Sequence, residues 1–120
     1  MKKSKQKIID KYFDQFAEIE NVEKIVVATY DGLLINSVGI EDSELENIPA
    51  FLSNYREIVL SMTENVSGAD FQIGYYLTDR GFMVITTLGE DAIIQILARG
   101  RQNTGVVLRL AQSLRQEYDA

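Results

Sequence analysis

Between Phe82 and Leu97 the chain reads FMVITTLGEDAIIQIL, two runs of apolar and β-branched residues joined by Gly89-Glu90-Asp91. A strand with one wet face alternates apolar and polar residues. These runs, Phe82 to Leu88 and Ala92 to Leu97, are apolar nearly throughout, so both faces of both strands must be covered. A chain of 120 residues is long enough to bury a core but has few elements to spare for two covering layers.

Three stretches have helical periodicity. In the first, residues 4 to 20, Ile8, Ile9, Tyr12, Phe13, Phe16 and Ile19 share a face, and Ser4 is placed to cap the start. The second, Pro49 to Val66, is the long central helix. Ile48, Phe51, Leu52, Tyr55, Ile58, Val59, Met62 and Val66 fall within an arc of about 120°. Phe51 and Ile58 lie on one shoulder of that arc, where they can reach past the chain's own sheet, and Leu60 falls among the polar residues. Pro49 suits the first helical position, and Ile48 before it is biased away from helical dihedrals. Glu41, Asp42, Glu44 and Glu46 precede the helix, at the positive end of its dipole. They run sequentially rather than with the spacing of a calcium loop. The third helix spans Thr104 to Tyr118, capped by Asn103, with Val106, Val107, Leu110, Ala111, Leu114 and Tyr118 facing inward.

Strands fill the intervals. Lys24 to Thr29 and Leu33 to Ile35 flank Asp31-Gly32, a hairpin signal in which both turn residues take positive φ. Phe71 to Leu77 alternates, with Phe71, Ile73, Tyr75 and Leu77 on one side and Gln72, Gly74 and Tyr76 on the other, as expected of an edge strand. Asp79-Arg80-Gly81 turns into the apolar pair of strands. The expected order is α-β-β-α-β-β-β-α. This is an α+β fold, an α/β/α sandwich on a five-stranded, mostly antiparallel sheet, with the first and last helices on one face and the central helix alone on the other. A lone helix leaves apolar sheet uncovered, and an edge strand leaves unpaired backbone groups. Two copies joined edge to edge, central helices side by side, would remove both defects. A homodimer is therefore expected, built from one domain covering residues 1–120.

Composition narrows the chemistry. The formal net charge of −6 opposes nucleic-acid binding and attachment to anionic membrane. No apolar run is long enough to insert in a bilayer, and the charged start MKKSKQKIIDKYF lacks a signal-peptide core, so a cytoplasmic protein is expected. With no cysteine and no histidine, thiolate metal sites and serine–histidine–acid triads are excluded. There is no P-loop, nucleophile-elbow or dinucleotide motif. Neither an enzyme nor a cofactor is expected. Arg99, Gly100 and Arg101, just before the last helix, form a candidate anion site. Arg80 at a turn is a candidate arginine finger. For both, the simpler reading is a solvated connection.

The chain resembles the roadblock/dynein light chain family in VEKIVVATYDGLLINS at 22–37, ITTLGEDAIIQILAR at 85–99 and NTGVVLRL at 103–110. The resemblance rests on Asp31-Gly32 at the first hairpin and on Asn103, Gly105 and Arg109 opening the last helix. It covers roughly residues 5 to 118. Pro49 departs from the family's usual alanine- and acid-rich helix start. The resemblance implies a dimer with a continuous sheet and a two-helix layer. It also implies binding and regulation of a small Ras-like GTPase, with GTPase activation through the partner's own switch regions as one form. The implied dimer contacts are Phe51, Tyr55, Ile58, Met62, Gln72, Gly74 and Tyr76. The implied GTPase-docking residues are Asn54, Glu57, Leu60 and Ser61. A passive scaffold of a GTPase or motor complex is the alternative, and a small-molecule sensor is a third reading resting on fold analogy alone.

Overall fold

The computed structural model describes residues 3–68 and 72–120. The elements follow in the order α1 (Lys3–Ala17), β1 (Val22–Thr29), β2 (Leu34–Val38), α2 (Asp42–Leu45), α3 (Ile48–Met62), β3 (Ile73–Leu77), β4 (Gly81–Leu88), β5 (Ala92–Arg99) and α4 (Thr104–Asp119). The five strands form one sheet in the order β2-β1-β5-β4-β3, and every neighbouring pair is antiparallel. The two apolar runs become β4 and β5, with β5 at the centre, as their double-sided burial requires.

Pairing register decides which residues share a face. Ile25, Ile96 and Val84 pair across β1, β5 and β4, and all three lie in the core packed under α1 and α4. That core includes Ile9 and Phe16 from α1 and Val107, Ala111 and Leu114 from α4, each with no exposed surface. Val26, Ala28, Ile85 and Ile93 point to the other face, where Leu52 of α3 completes a much smaller cluster. The layering is the expected one, two helices against one.

Several local expectations need correction. Helix α1 begins at Lys3, so Ser4 lies inside its first turn rather than at its cap. The first hairpin closes with Thr29 N–H donating to the Leu33 carbonyl at 2.8 Å, around the loop Tyr30-Asp31-Gly32. Only Gly32 (φ 95°) is left-handed, because a three-residue loop needs one such residue where a two-residue turn needs two. The acids before α3 do not line its N-terminus alone. They wind into the separate short helix α2, where the Glu44 side chain accepts from the Glu41 backbone N–H at 3.2 Å. Ile48 is already helical despite preceding a proline, and Pro49 stands second, where a missing N–H still costs nothing. After Met62 the helix widens into a π turn over Thr63–Ser67 and stops at left-handed Gly68, near the expected end.

Strand β3 is an edge strand as expected; the predicted start of that strand at Phe71 lies outside the described residues. Strand β5 runs on to Arg99, two residues past its predicted end. Asn103 occupies the N-cap position of α4 but in the left-handed region (φ 66°), and its side chain caps nothing. Its Nδ2 donates instead to Asn21 Oδ1 at 2.9 Å, and Asn21 Nδ2 donates to the carbonyls of Arg99 and Gln102. This amide pair, with Asn21 buried, ties the β5–α4 connection to the connection between α1 and β1. Val106, expected inside, is 45% exposed.

A candidate partner-binding face

Helix α3 carries an apolar arc wide enough to pack on a sheet, yet only Pro49 and Leu52 are buried. Phe51, Ile58 and Met62 are each about half exposed or more, and Val66 beyond them is exposed. The helix is held on the sheet along its opposite flank. Ser53 Oγ donates to the Tyr30 carbonyl, the Arg56 guanidinium stacks 3.9 Å from the centre of the Tyr30 ring, and Arg56 Nη2 lies 3.0 Å from Glu90 Oε2. Arg56 and Tyr30 are structural supports of α3 that the sequence did not single out. Their only sequence signal is that each has a polar end to satisfy at the rim of a sheet. Burial pushes the Tyr30 hydroxyl up from its ordinary pKa, partly offset by Arg56.

At its C-terminal end α3 meets the edge strand. The Tyr55 and Tyr76 hydroxyls share a hydrogen bond, with ring centroids 6.1 Å apart and nearly perpendicular. Gly74 makes that meeting possible: a Cβ there would collide with the Tyr55 hydroxyl oxygen. Burial, then the bond to Tyr76, raises the Tyr55 pKa well above its ordinary value. A crevice of about 80 Å³ lies between Tyr55, Met62, Gly74, Tyr76 and Ile85. Arg115 of α4 anchors the start of this edge from the other side of the sheet. Its Nη1 donates to the carbonyls of Gln72 (3.1 Å) and Thr87 (2.5 Å). Nothing in a helical arginine at that position advertises this role.

The expected interface residues thus fall into a connected set and one outlier. Tyr55, Met62, Gln72, Gly74 and Tyr76 converge at the α3–β3 crevice, and Ile58 stands exposed between them and Phe51. Phe51 lies at the far end of the same stripe, over β1 and β5, beside a second cleft of about 240 Å³. Of the expected docking residues, Asn54, Glu57 and Ser61 are exposed along the outer surface of α3. Leu60, 38% exposed, leans toward Arg56 and Tyr30.

The other candidates dissolve into structure. Arg99 Nε pairs with Glu23 at 2.5 Å. The Arg101 guanidinium donates to the Gly81 and Thr78 carbonyls, pinning the β3–β4 hairpin to the connection before α4. Both are engaged by the chain itself, which leaves no built anion site. Arg80 is exposed at the hairpin tip. Among the described residues, no cluster of acids has metal-holding geometry, and no helix is long and apolar enough to cross a membrane.

The sequence matches the Roadblock/LC7 domain model over residues 8–98. The chain belongs to the Roadblock/LC7 family. Comparison with curated proteins finds no match. Among solved structures, this roadblock chain is similar to Myxococcus xanthus MglB, with a TM-score of 0.77 at 12% identity, covering 99% of this chain and 92% of that one. It is also similar to the gliding protein MglB from Thermus thermophilus (TM-score 0.72, 9% identity, 99% and 94% covered). A third match is a Roadblock/LC7 domain from Streptomyces avermitilis (TM-score 0.68, 17% identity, 90% and 94% covered). At such identities the likeness establishes the roadblock fold and leaves the role to the surface described above.

Proposed function

We propose that this roadblock chain is a non-catalytic, self-associating module that binds and regulates a small Ras-like GTPase. The observation that carries the reading is the continuous apolar stripe on α3, left exposed beside the terminal strand β3. Pairing β3 with its counterpart in a second copy would extend the sheet and satisfy the edge. It would also set the two α3 helices side by side, each covering Tyr55, Ile58 and Met62 of the other. Family membership supplies the GTPase side of the proposal, and similarity to a structure described as MglB in a tetrameric arrangement (TM-score 0.70) is compatible with assembly. The partner would rest on the outer surface of that two-helix layer, on Asn54, Glu57, Leu60 and Ser61. It would be regulated through a bias on its own switch regions, since among the described residues this surface presents no unengaged arginine. The apolar spaces on this face, about 80 and 240 Å³, fall below the range of roughly 300–1,000 Å³ usual for small-molecule pockets, which disfavours the sensor reading.

The test is paired. Sedimentation gives the oligomeric state of the chain and of Ile58→Glu. Pull-downs from source-organism lysate, run with GDP and with a non-hydrolysable GTP analogue, are read by mass spectrometry for Ras-like GTPases. A GTPase recovered with the analogue and lost with Leu60→Arg supports regulation. Equal recovery in both nucleotide states favours a passive scaffold, and no GTPase in either sinks the proposal.

A further inference from the structure

The sheet has two edges, and they are built differently. Strand β3 pairs with β4 in unbroken register from Ile73 to Leu77. Strand β2, at the opposite edge, is bulged against β1: Val27 faces Asn36 and Ala28 faces Leu34, which leaves Ile35 as an extra residue. The side chains of β2 would nevertheless suit a further strand. Leu34–Val38 reads LINSV, without the charge or proline that commonly blunts an edge, and Leu33, Leu34 and Val38 are exposed.

Alternation fixes which backbone groups of β2 look outward. Thr29 donates its N–H toward the β2 side, to the Leu33 carbonyl. Every second residue of an extended strand points the same way, so Val27 and Ile25 face β2 as well. Their partners Asn36 and Val38 therefore bond to β1, and Ser37 between them turns its N–H and carbonyl away from the sheet. That N–H is already taken: it donates to Asn36 Oδ1 at 2.9 Å. Asn36 is exposed, so its side chain packs no core there. It occupies the donor that an incoming strand would need, a local bond competing with a ladder bond.

We infer that β2 is a second pairing edge for copies of this chain, held shut by Asn36, so that assembly through β3 closes at two copies. Antiparallel pairing of β2 with itself is self-complementary, because Ser37 can exchange its N–H and carbonyl with Ser37 of a second copy. Two copies joined at β3 carry β2 at both ends of the shared sheet. Open β2 edges would then join pair to pair in a chain that never closes. The bulge bends this edge, and Asn36 removes its donor at Ser37. Closure at two rests on the self-association reading above; the blocked edge does not.

The test reads sedimentation of the full-length chain over a range of concentrations. Asn36→Val and Asn36→Ala both delete the acceptor at an exposed position and should leave the urea midpoint unchanged. In both, mass should grow with concentration, to at least about twice the wild-type value at the top of the range. Asn36→Asp keeps an acceptor and should match the wild type. Ser37→Pro added to Asn36→Val deletes the outward N–H, a change an edge strand tolerates, and should restore the wild-type mass. In the Ile58→Glu background, where the α3–β3 surface is broken, Asn36→Val should join two copies and no more. The Ser37 amide should then exchange about tenfold more slowly or better. A monomeric wild type would sink the self-association reading alone, and Asn36→Val should still form pairs. Wild-type mass in both Asn36→Val and Asn36→Ala overturns the inference. So does growth with valine but not alanine, or growth that survives Ser37→Pro.

Discussion

The two faces of the sheet are built from similar residues and end in different states. Under α1 and α4 the described residues form a cluster of seventeen buried members, drawn from both helices and the sheet. Under α3 the corresponding cluster has five, and α3 supplies only Leu52. Both α1 and α3 are fifteen residues long. What differs is company: α1 and α4 close over each other, whereas among the described residues α3 has beside it only the four-residue helix α2. A closed face stabilises the monomer, and an open one stores apolar surface for something else.

The sharpest way to break this comparison is to cut into each face in turn. Phe16→Ala removes a fully buried ring from the closed face. It should cost about 3–5 kcal/mol, a large part of a typical stability of about 5–15 kcal/mol, read by urea unfolding. Gly74→Val attacks the open face from inside. The new side chain meets the Tyr55 hydroxyl and the Tyr76 ring, and the expected loss is about 1–3 kcal/mol with weakened self-association. Ile58→Glu, on the exposed stripe, should change monomer unfolding by only about 0.5 kcal/mol or less while shifting sedimentation toward monomer. If it instead unfolds the monomer as Phe16→Ala does, the open face is not open.

The smallest effect is an alkaline one that both faces share. Burial raises the pKa of Tyr118 on the closed face and of Tyr55 on the open face above their ordinary value of 10.0, helped by Asp91 and Tyr76 respectively. In the unfolded chain both ionise near that value, so above pH 10 the unfolded state binds fewer protons than the folded one. Stability should hold up to that pH and fall as pH rises beyond it. Tyr118→Phe and Tyr55→Phe should each flatten the fall, measured as urea midpoints between roughly pH 8 and 11.

Much of the candidate site was legible in advance. The stripe Phe51, Tyr55, Ile58, Met62 follows from helical spacing, and the placement of β3 at an edge follows from its alternation between Ile73 and Leu77. That Phe51 stands over β1 and β5, beside a cleft of its own, was not legible. Spacing fixes a residue's angle around a helix and says nothing of how the helix crosses the strands beneath, and α3 crosses from β1 toward β3. Arg101 and Arg115 were equally opaque, since a long side chain that ends on distant carbonyls leaves no local pattern.

Periodicity, turn residues and charge determined from sequence alone that this chain would be helices on both faces of an antiparallel sheet, with β4 and β5 inside it. These are short-range properties, set by neighbouring side chains and by backbone sterics. Tertiary structure alone decided which of the eight apolar residues in the α3 arc are buried, what a side chain at residue 74 would meet, and that Asn103 turns left-handed beside Asn21. Each depends on where a second element, far along the chain, comes to rest, and burial is settled only when that element arrives.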